Sequence, residues 1–455
     1  MLFSSLEFIL FFLPLFLILY RIIPNRFRNG ILFVGSLVFY CYGNAKYVGV
    51  LLLSVGINYL WGCYIGERKN QKSNINRPRF DRRKAVLWIA VMINIGMLGL
   101  TKSLGASLGF PLGMSFYTFQ ALSYLIDVYR GTIDPEHHLL SYANAICMFP
   151  KLISGPLVRY GDISTQLKKP ELTSGGMQSG LMTFIYGLAL KVLLADPIAT
   201  LWNAVQVTGF ISLSVPMAWL GAIAYSMNLY FDFYGYSMMA VGLGQMIGLT
   251  LPDNFDHPYM ATSVREFYRK WHMTLTGWFR DYVYIPLGGN RAGKARTYFN
   301  LFIVWFLTGI WHGSSLNFLL WSMSLFLFIA LERLLCRFHF WGRFKILPHI
   351  YVCVVIPVTW MCFAITDFSQ LLIYLGRMFG MIEAINAKSS DWMAAFMQYR
   401  FLLLAGLVAC TPVLKFVYQK IQTTFIGQLA IGTLFWLCIW RIWEEGQNVF
   451  RYFSF

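Results

Sequence analysis

The chain has 455 residues, of which 57% are hydrophobic and 13% are charged, and its formal net charge is +17. Ordinary soluble domains carry about 25% charged residues, so this composition excludes a protein whose whole surface faces water. It also excludes a soluble nucleic-acid-binding protein, because the basic residues are not gathered on a hydrophilic domain. We therefore predict an all-α polytopic membrane protein.

Apolar runs long enough to cross a bilayer, about 20 residues each, recur along the chain. The predicted spans lie near residues 5–23, 30–43, 47–65, 85–102, 112–129, 177–195, 208–231, 235–251, 298–313, 316–335, 349–366, 400–418 and 427–443. The first run has no small-residue cleavage site after it, which favours a retained span over a signal peptide. Because no repeat or low-complexity linker divides the chain, we predict a single domain, 1–455.

The distribution of basic residues predicts the orientation. The stretch 67–84 holds eight basic and two acidic residues, and basic loops stay on the cytoplasmic side. Counting back over two spans places Arg21, Arg26 and Arg28 inside as well, and the N-terminus outside.

The segment 256–296 differs from the apolar spans because it mixes charges with aromatic residues. Its basic residues are Arg265, Arg269, Lys270, Arg280, Arg291, Lys294 and Arg296. Trp271, Leu275, Trp278, Phe279 and Tyr282 share one face at helical spacing. The pattern predicts an amphipathic helix that lies at the membrane surface or is tucked into the bundle.

His312 is the strongest functional candidate among the seven histidines. If the chain is helical from Arg296, His312 lies about 24 Å along the helix at 1.5 Å per residue, inside the bilayer. An ionisable group at that depth indicates function; the alternative is a neutral histidine that hydrogen-bonds between helices. Gly309 and Gly313 bracket it at a spacing that lets another backbone approach closely; the alternative is that they widen a cavity next to the ring. His272 borders the aromatic face, and its interest depends on whether it reaches His312.

Motifs of soluble enzymes are weak or missing. The eight cysteines lie mostly inside apolar runs, without a C-x-x-C pair, and no P-loop occurs. Zinc and disulfide interpretations therefore lose support, and we predict neither a metal nor a bound cofactor.

Five segments together resemble a known family. They are MSFYTFQALSYLIDVYRG from Met114, FPKLISGPLVRY from Phe149, NFDHPYMATSVREFYRKW from Asn254, WHMTLTGWFRDYVYIPLGGNR from Trp271 and WFLTGIWHGSSLNFLLW from Trp305. In this order they resemble the membrane-bound O-acyltransferases, above all the bacterial branch of alginate O-acetyltransferases and teichoic acid D-alanyl transfer proteins.

The resemblance implies a fold and two site residues. The fold is a ring of tilted spanning and re-entrant helices around a central funnel. The family's invariant histidine corresponds to His312 and its second histidine to His272. The family usually has FDFSGYSDMA where this chain has FDFYGYSMMA, so Tyr234 and Met238 replace a serine and an aspartate.

The chemistry that this implies is transfer of a short acyl group, expected to be acetyl, from a cytosolic thioester to a hydroxyl. His312 is predicted as the general base, since the unperturbed pKa of histidine lies near neutrality. His272 is predicted to orient the donor or acceptor, or to stabilise the oxyanion. The expected donor is acetyl-CoA or an acyl carrier protein on the cytoplasmic side, docking against Arg265, Arg269, Lys270 and Arg280.

The expected acceptor is an extracytoplasmic polysaccharide or wall polymer, reached directly or through an acetyl-relay partner. The expected location is the bacterial inner (plasma) membrane, with many spans. The alternative function is a polytopic transporter or a lipid or polymer flippase. Such proteins often show paired halves with broken helices at matching positions, and no such symmetry is visible here.

Overall fold

The structure is a computed structural model that describes residues 1–67, 81–108, 110–153, 155–291, 293–335, 346–388 and 390–446. These residues form helices and connecting turns, and no β-strand occurs among them. The all-α class predicted from the sequence is therefore confirmed. Most of the basic stretch 67–84, and His339, lie outside the described residues.

Twenty α-helices occur among the described residues. They are α1 (Leu13–Ile22), α2 (Arg28–Asn44), α3 (Val48–Glu67), α4 (Arg82–Leu108), α5 (Met114–Arg130), α6 (Leu139–Cys147), α7 (Phe149–Leu152), α8 (Tyr160–Lys168), α9 (Ser174–Ala189), α10 (Asp196–Thr208), α11 (Val215–Met246), α12 (Val264–Lys270), α13 (Met273–Phe279), α14 (Lys294–His312), α15 (Leu316–Leu335), α16 (Leu347–Ala364), α17 (Phe368–Met378), α18 (Asp391–Ala409), α19 (Pro412–Ile421) and α20 (Phe425–Glu445). Short π-helical segments lie at Glu7–Phe12, Leu190–Ala195 and Arg280–Tyr284.

Seven helical stretches among the described residues are long and apolar enough to cross a membrane. They are Asn25–Glu67, Arg82–Ser103, Ser174–Thr208, Leu316–Leu335, Leu347–Ala364, Asp391–Ala409 and Phe425–Glu445. Six of them correspond to predicted spans. The predicted span 400–418 is wrong in its bounds, because it crosses the break at Cys410 and Thr411 between α18 and α19. Helices α1, α5 and α14 also form where spans were predicted, but they lie outside this set.

The two predicted spans at 208–231 and 235–251 are wrong. One continuous helix, α11, runs through the supposed break at Asp232. The carboxylate of Asp232 lies 2.9 Å from Nζ of Lys191, which also pairs with Asp196. Because this buried ion pair neutralises the charge, the helix continues where the sequence suggested a polar connection.

The chain packs as two compact units. The first comprises Met1–Phe184 and Ser237–Pro252. In it, buried Asn58 of α3 and Asn94 of α4 donate to each other's amide oxygens at 3.2 and 2.8 Å. Such bonds between side chains hold apolar helices in register, since lipid gives them no hydrophobic reason to associate.

The second unit comprises Ile185–Tyr236 and Asp253–Phe455, and it contains both candidate histidines. Helices α14, α15 and α16 pack in sequence there. Their shared core is aromatic: Trp321 stacks on Trp360 with ring centroids 5.7 Å apart, and Phe363 meets both rings edge-on. The single-domain prediction stays a prediction.

Candidate active site

The predicted amphipathic helix is confirmed: it comprises α13 (Met273–Phe279) and the π-helical segment Arg280–Tyr284 that continues it. A second short helix, α12, precedes it. Helices α12 and α13 are separated at Trp271 and His272, and His272 has a left-handed backbone with φ 44° and ψ 55°. The break is held by main-chain bonds from Met273 N–H to the carbonyl of Asn254 and from Asp256 N–H to the carbonyl of Lys270, at 2.9 and 3.0 Å. The predicted apolar face is nevertheless buried: Trp271, Leu275, Trp278, Phe279 and Tyr282 are all core residues.

His272 is held in one orientation by Asn254. The side chain is 2% exposed, and its Nδ1 lies 3.1 Å from Oδ1 of Asn254. The same oxygen accepts from the main-chain N–H and the hydroxyl of Thr274, at 3.3 and 2.7 Å. A main-chain N–H can only donate, so the amide oxygen, not its nitrogen, faces the imidazole. Nδ1 of His272 therefore carries the proton, and Nε2 of the neutral ring is an acceptor.

Burial keeps the ring of His272 neutral. It lowers the pKa of His272 from an ordinary 6.5 to about 3, because the charged form loses its hydration. The ring of Phe233 meets the imidazole edge-on at 4.8 Å between centroids. These surroundings suit a residue that orients a substrate by accepting a hydrogen bond.

His312 is the last residue of α14, as the helical prediction required, and it is 8% exposed. Aromatic rings surround it: Trp311 at 4.6 Å, Trp321 at 4.8 Å and Phe363 at 5.2 Å between centroids, all edge-on. The C-terminal end of a helix carries partial negative charge. His312 therefore lies at the negative end of the α14 dipole.

The close approach predicted at Gly309 and Gly313 is confirmed. A Cβ on Gly309 would collide with Oγ of Ser322 and lie 3.2 Å from the carbonyl oxygen of Phe318. A Cβ on Gly313 would lie 2.5 Å from the ring of Phe318. The glycines therefore let α15 pack against the end of α14 that carries His312.

A cavity of about 630 Å³ in the second unit brings the two histidines together. His272 and His312 both line it, as do Trp321, Trp360 and Phe363. Its basic lining residues are Arg265, Arg269, Arg280 and Arg333. The volume lies in the range of small-molecule sites, about 300–1,000 Å³.

Three of the four residues predicted to dock the donor line this cavity. Lys270 is not among its lining residues, and its ammonium pairs with Glu266 at 3.0 Å. Arg280 is partly neutralised by Asp281, which accepts from the guanidinium at 2.7 and 3.2 Å.

Three residues at this site were not predicted from the sequence: Arg333, Asn254 and Trp321. Arg333 follows Glu332 near the end of the otherwise apolar α15, and paired charges in a spanning segment are a recognisable functional signal. Glu332 accepts from the main-chain N–H groups of Val264 and Arg265, at 2.5 and 3.2 Å. It thereby anchors the start of α12, which carries Arg265 and Arg269.

The two departures from the family pattern do not line the cavity. Tyr234 is buried and stacks on Tyr230, with ring centroids 5.5 Å apart. Met238 is also a core residue. Both substitutions therefore act on packing and not directly on the cavity wall.

No cluster of three or more metal-ligating side chains occurs in the part of the chain that the structure describes. A histidine that acts as a base needs no metal. The predictions that the protein uses neither a metal nor a resident cofactor stay predictions.

Comparison with known proteins adds a family and several relatives. Residues 130–366 match the model of the membrane-bound O-acyltransferase family. The chain is 33% identical over 436 residues to a probable alginate O-acetylase of Pseudomonas syringae, covering 91% of this chain and 80% of the relative. It is 29% identical over 536 residues to a peptidoglycan O-acetyltransferase of Helicobacter pylori, covering 100% and 98% of the two chains. A teichoic acid D-alanyltransferase of Bacillus subtilis is 29% identical, over 47% of this chain and 56% of the relative.

Proposed function

The chain belongs to the membrane-bound O-acyltransferase family, and on this premise we propose that it moves an acetyl group from a cytosolic thioester to a hydroxyl of an exported polysaccharide or cell-wall polymer. The protein is a multi-pass membrane O-acyltransferase. Relatives named as alginate and peptidoglycan O-acetyltransferases support an acetyl group and a polymeric acceptor.

One observation carries the mechanism: His312 lies on the wall of a cavity that His272 also lines. His312 is the general base that takes the proton of the acceptor hydroxyl as its oxygen attacks the thioester carbonyl. His272 accepts a hydrogen bond through Nε2 and orients a substrate. Asn254 accepts from Nδ1–H of His272, so the neutral ring has no second N–H to donate to an oxyanion. This favours the role of orienting a substrate over the role of stabilising the oxyanion.

The donor is an acetyl thioester, carried by coenzyme A or by an acyl carrier protein. Arg265, Arg269, Arg280 and Arg333 line the cavity and are suited to phosphate groups, which guanidinium binds in bidentate fashion. Asp281 and Glu332 offset part of this charge. Lys270 contributes less, because Glu266 neutralises it.

The acceptor is extracytoplasmic, and a partner that relays the acetyl group is compatible with the same chemistry. The relatives that act on alginate, peptidoglycan and teichoic acid by name support a polymeric acceptor. We propose the bacterial inner membrane as the location, since a cytosolic thioester and an exported polymer meet across that membrane. A transporter or flippase is not favoured, because the family and the named relatives are acyltransferases.

The test is acyl transfer by the purified protein in lipid nanodiscs, with acetyl-CoA labelled on the acetyl group. We expect the label to leave coenzyme A and to appear as an alkali-labile ester on added O-deacetylated polysaccharide. His312→Gln keeps the approximate volume of the ring but cannot act as a base, so it is expected to lose a factor of about 100 to 10,000 in rate. Near-normal turnover by that variant would overturn the proposal.

A further inference from the structure

One indole N–H beside His312 has no acceptor in the protein. Trp321, on α15, is 2% exposed, and its Nε1 is buried without a hydrogen-bond partner. Buried donors are nearly always paired in native structures, so each exception calls for an explanation. Elsewhere in the same unit, the indole of Trp219 is satisfied by the carbonyl of Met378 at 2.8 Å.

The position of Trp321 connects this donor to the reacting groups. Trp321 lines the cavity that holds both histidines. Its ring and that of His312 have centroids 4.8 Å apart and are nearly perpendicular, at 87°. A carbonyl group about 3 Å from the catalytic base would therefore lie beside this indole.

Acyl transfer needs such a donor, and three other donors on the cavity wall are engaged elsewhere. Nδ1–H of His272 is held by Asn254. The hydroxyls of Thr276 and Thr308, both on the cavity wall, donate to the carbonyls of Tyr268 and Val304 at 3.0 and 2.8 Å. A preorganised donor that is not already engaged is worth most at the oxygen where negative charge develops.

We propose that Trp321 is a further catalytic residue, whose indole N–H donates a hydrogen bond to the oxyanion of the tetrahedral intermediate. The inference rests on the proposed function and deepens it. The acceptor hydroxyl gives its proton to His312 as its oxygen bonds to the carbonyl carbon, and the carbonyl π electrons move onto the oxygen. Trp321 binds this oxyanion and keeps its own proton. When the electron pair returns, the carbon–sulfur bond breaks and the thiolate takes the proton from the imidazolium, leaving an ester and a thiol.

The test removes the N–H and keeps an aromatic ring. Trp321→Phe is expected to lower kcat about 100-fold, the loss typical of one oxyanion donor. KM for acetyl-CoA should stay within about twofold, since the hydrogen bond forms in the transition state. The pH midpoint of kcat should not move, because the base is unchanged. Trp202→Phe is the matched control: Trp202 is 1% exposed and does not line the cavity, so kcat should be retained.

An isosteric replacement makes the test independent of packing. Benzothienylalanine at position 321 replaces the N–H by sulfur at nearly constant shape, and it should reproduce the loss of kcat. If kcat of the benzothienylalanine variant stays within about threefold of the wild-type value, the oxyanion role of Trp321 is wrong. The proposed function would still hold if, in the same assay, the wild type transfers the acetyl group and His312→Gln does not. If the wild type shows no transfer that depends on His312, the proposed function is wrong as well.

Discussion

The amide oxygen of Asn254 lies 3.1 Å from Nδ1 of His272, in a chain segment 18 residues away. Because Thr274 donates to the same oxygen through both its main-chain N–H and its hydroxyl, the contact fixes which imidazole nitrogen is protonated. Outer-shell partners of this kind set the orientation and tautomer of a functional histidine.

Asn254→Ala should therefore lower activity without unfolding the protein. By analogy with outer-shell partners of metal-bound histidines, we expect a loss of about 10- to 100-fold in kcat/KM. Asn254→Asp keeps an acceptor beside Nδ1 but adds a negative charge, which favours a protonated His272. That variant should be more active than Asn254→Ala at high pH and should lose the advantage as the pH falls. Equal activity of both variants at all pH values would argue against the orienting contact.

The low pKa of His272 predicts how stability depends on pH. In the unfolded chain this group binds a proton below its ordinary pKa of 6.5, whereas in the folded protein it does so below about 3. The unfolded state thus binds more protons between these values, so the free energy of unfolding decreases as the pH falls through this window. His272→Gln lacks this dependence. The difference in thermal midpoint between wild type and variant, measured in detergent from about pH 6.5 to pH 4, should shift in favour of the variant at lower pH. A constant difference would contradict the prediction.

The fold class and the depth of His312 could be predicted because they depend on local patterns. Long apolar runs and helical periodicity place His312 at the far end of α14 without knowledge of any contact. The break at His272 could not be predicted, because a left-handed backbone at a histidine is held by bonds to the distant Asn254 segment. Lys191 likewise lies far along the chain from Asp232, and no local pattern indicates that pair.

Gly309 provides a packing test at the end of α14. In Gly309→Ala, the new methyl group would collide with Ser322 Oγ and crowd the carbonyl of Phe318, so α14 and α15 must move apart. Overpacking of this kind typically costs about 1–3 kcal/mol. We expect a lower thermal midpoint together with lower turnover, since His312 lies three residues further on. Gly96→Ala in α4 is the control, because nothing lies within 4 Å of its added Cβ. Equal midpoints for the two variants would show that the approach is not tight.

Substitutions at Arg333 test whether this residue binds the phosphate groups of the acetyl-CoA donor. It lines the cavity, and its Nε is buried without a hydrogen-bond partner, whereas Lys270 is paired with Glu266 and is not a lining residue. Arg333→Gln should therefore raise KM for acetyl-CoA about tenfold at low salt, and less at high salt, where charges are screened. Lys270→Gln should leave KM nearly unchanged.

A truncated donor separates phosphate binding from a general change in the cavity. S-acetylpantetheine lacks the phosphates of coenzyme A, so its KM should be the same for wild type and Arg333→Gln if the guanidinium binds a phosphate. Arg333→Lys keeps the charge but loses the bidentate geometry, and it should restore part of the affinity for acetyl-CoA. If Arg333→Gln raises KM equally for both donors, the arginine shapes the cavity and does not bind the phosphates. If neither KM changes, the donor enters elsewhere, and the role assigned to the arginine-lined wall is wrong.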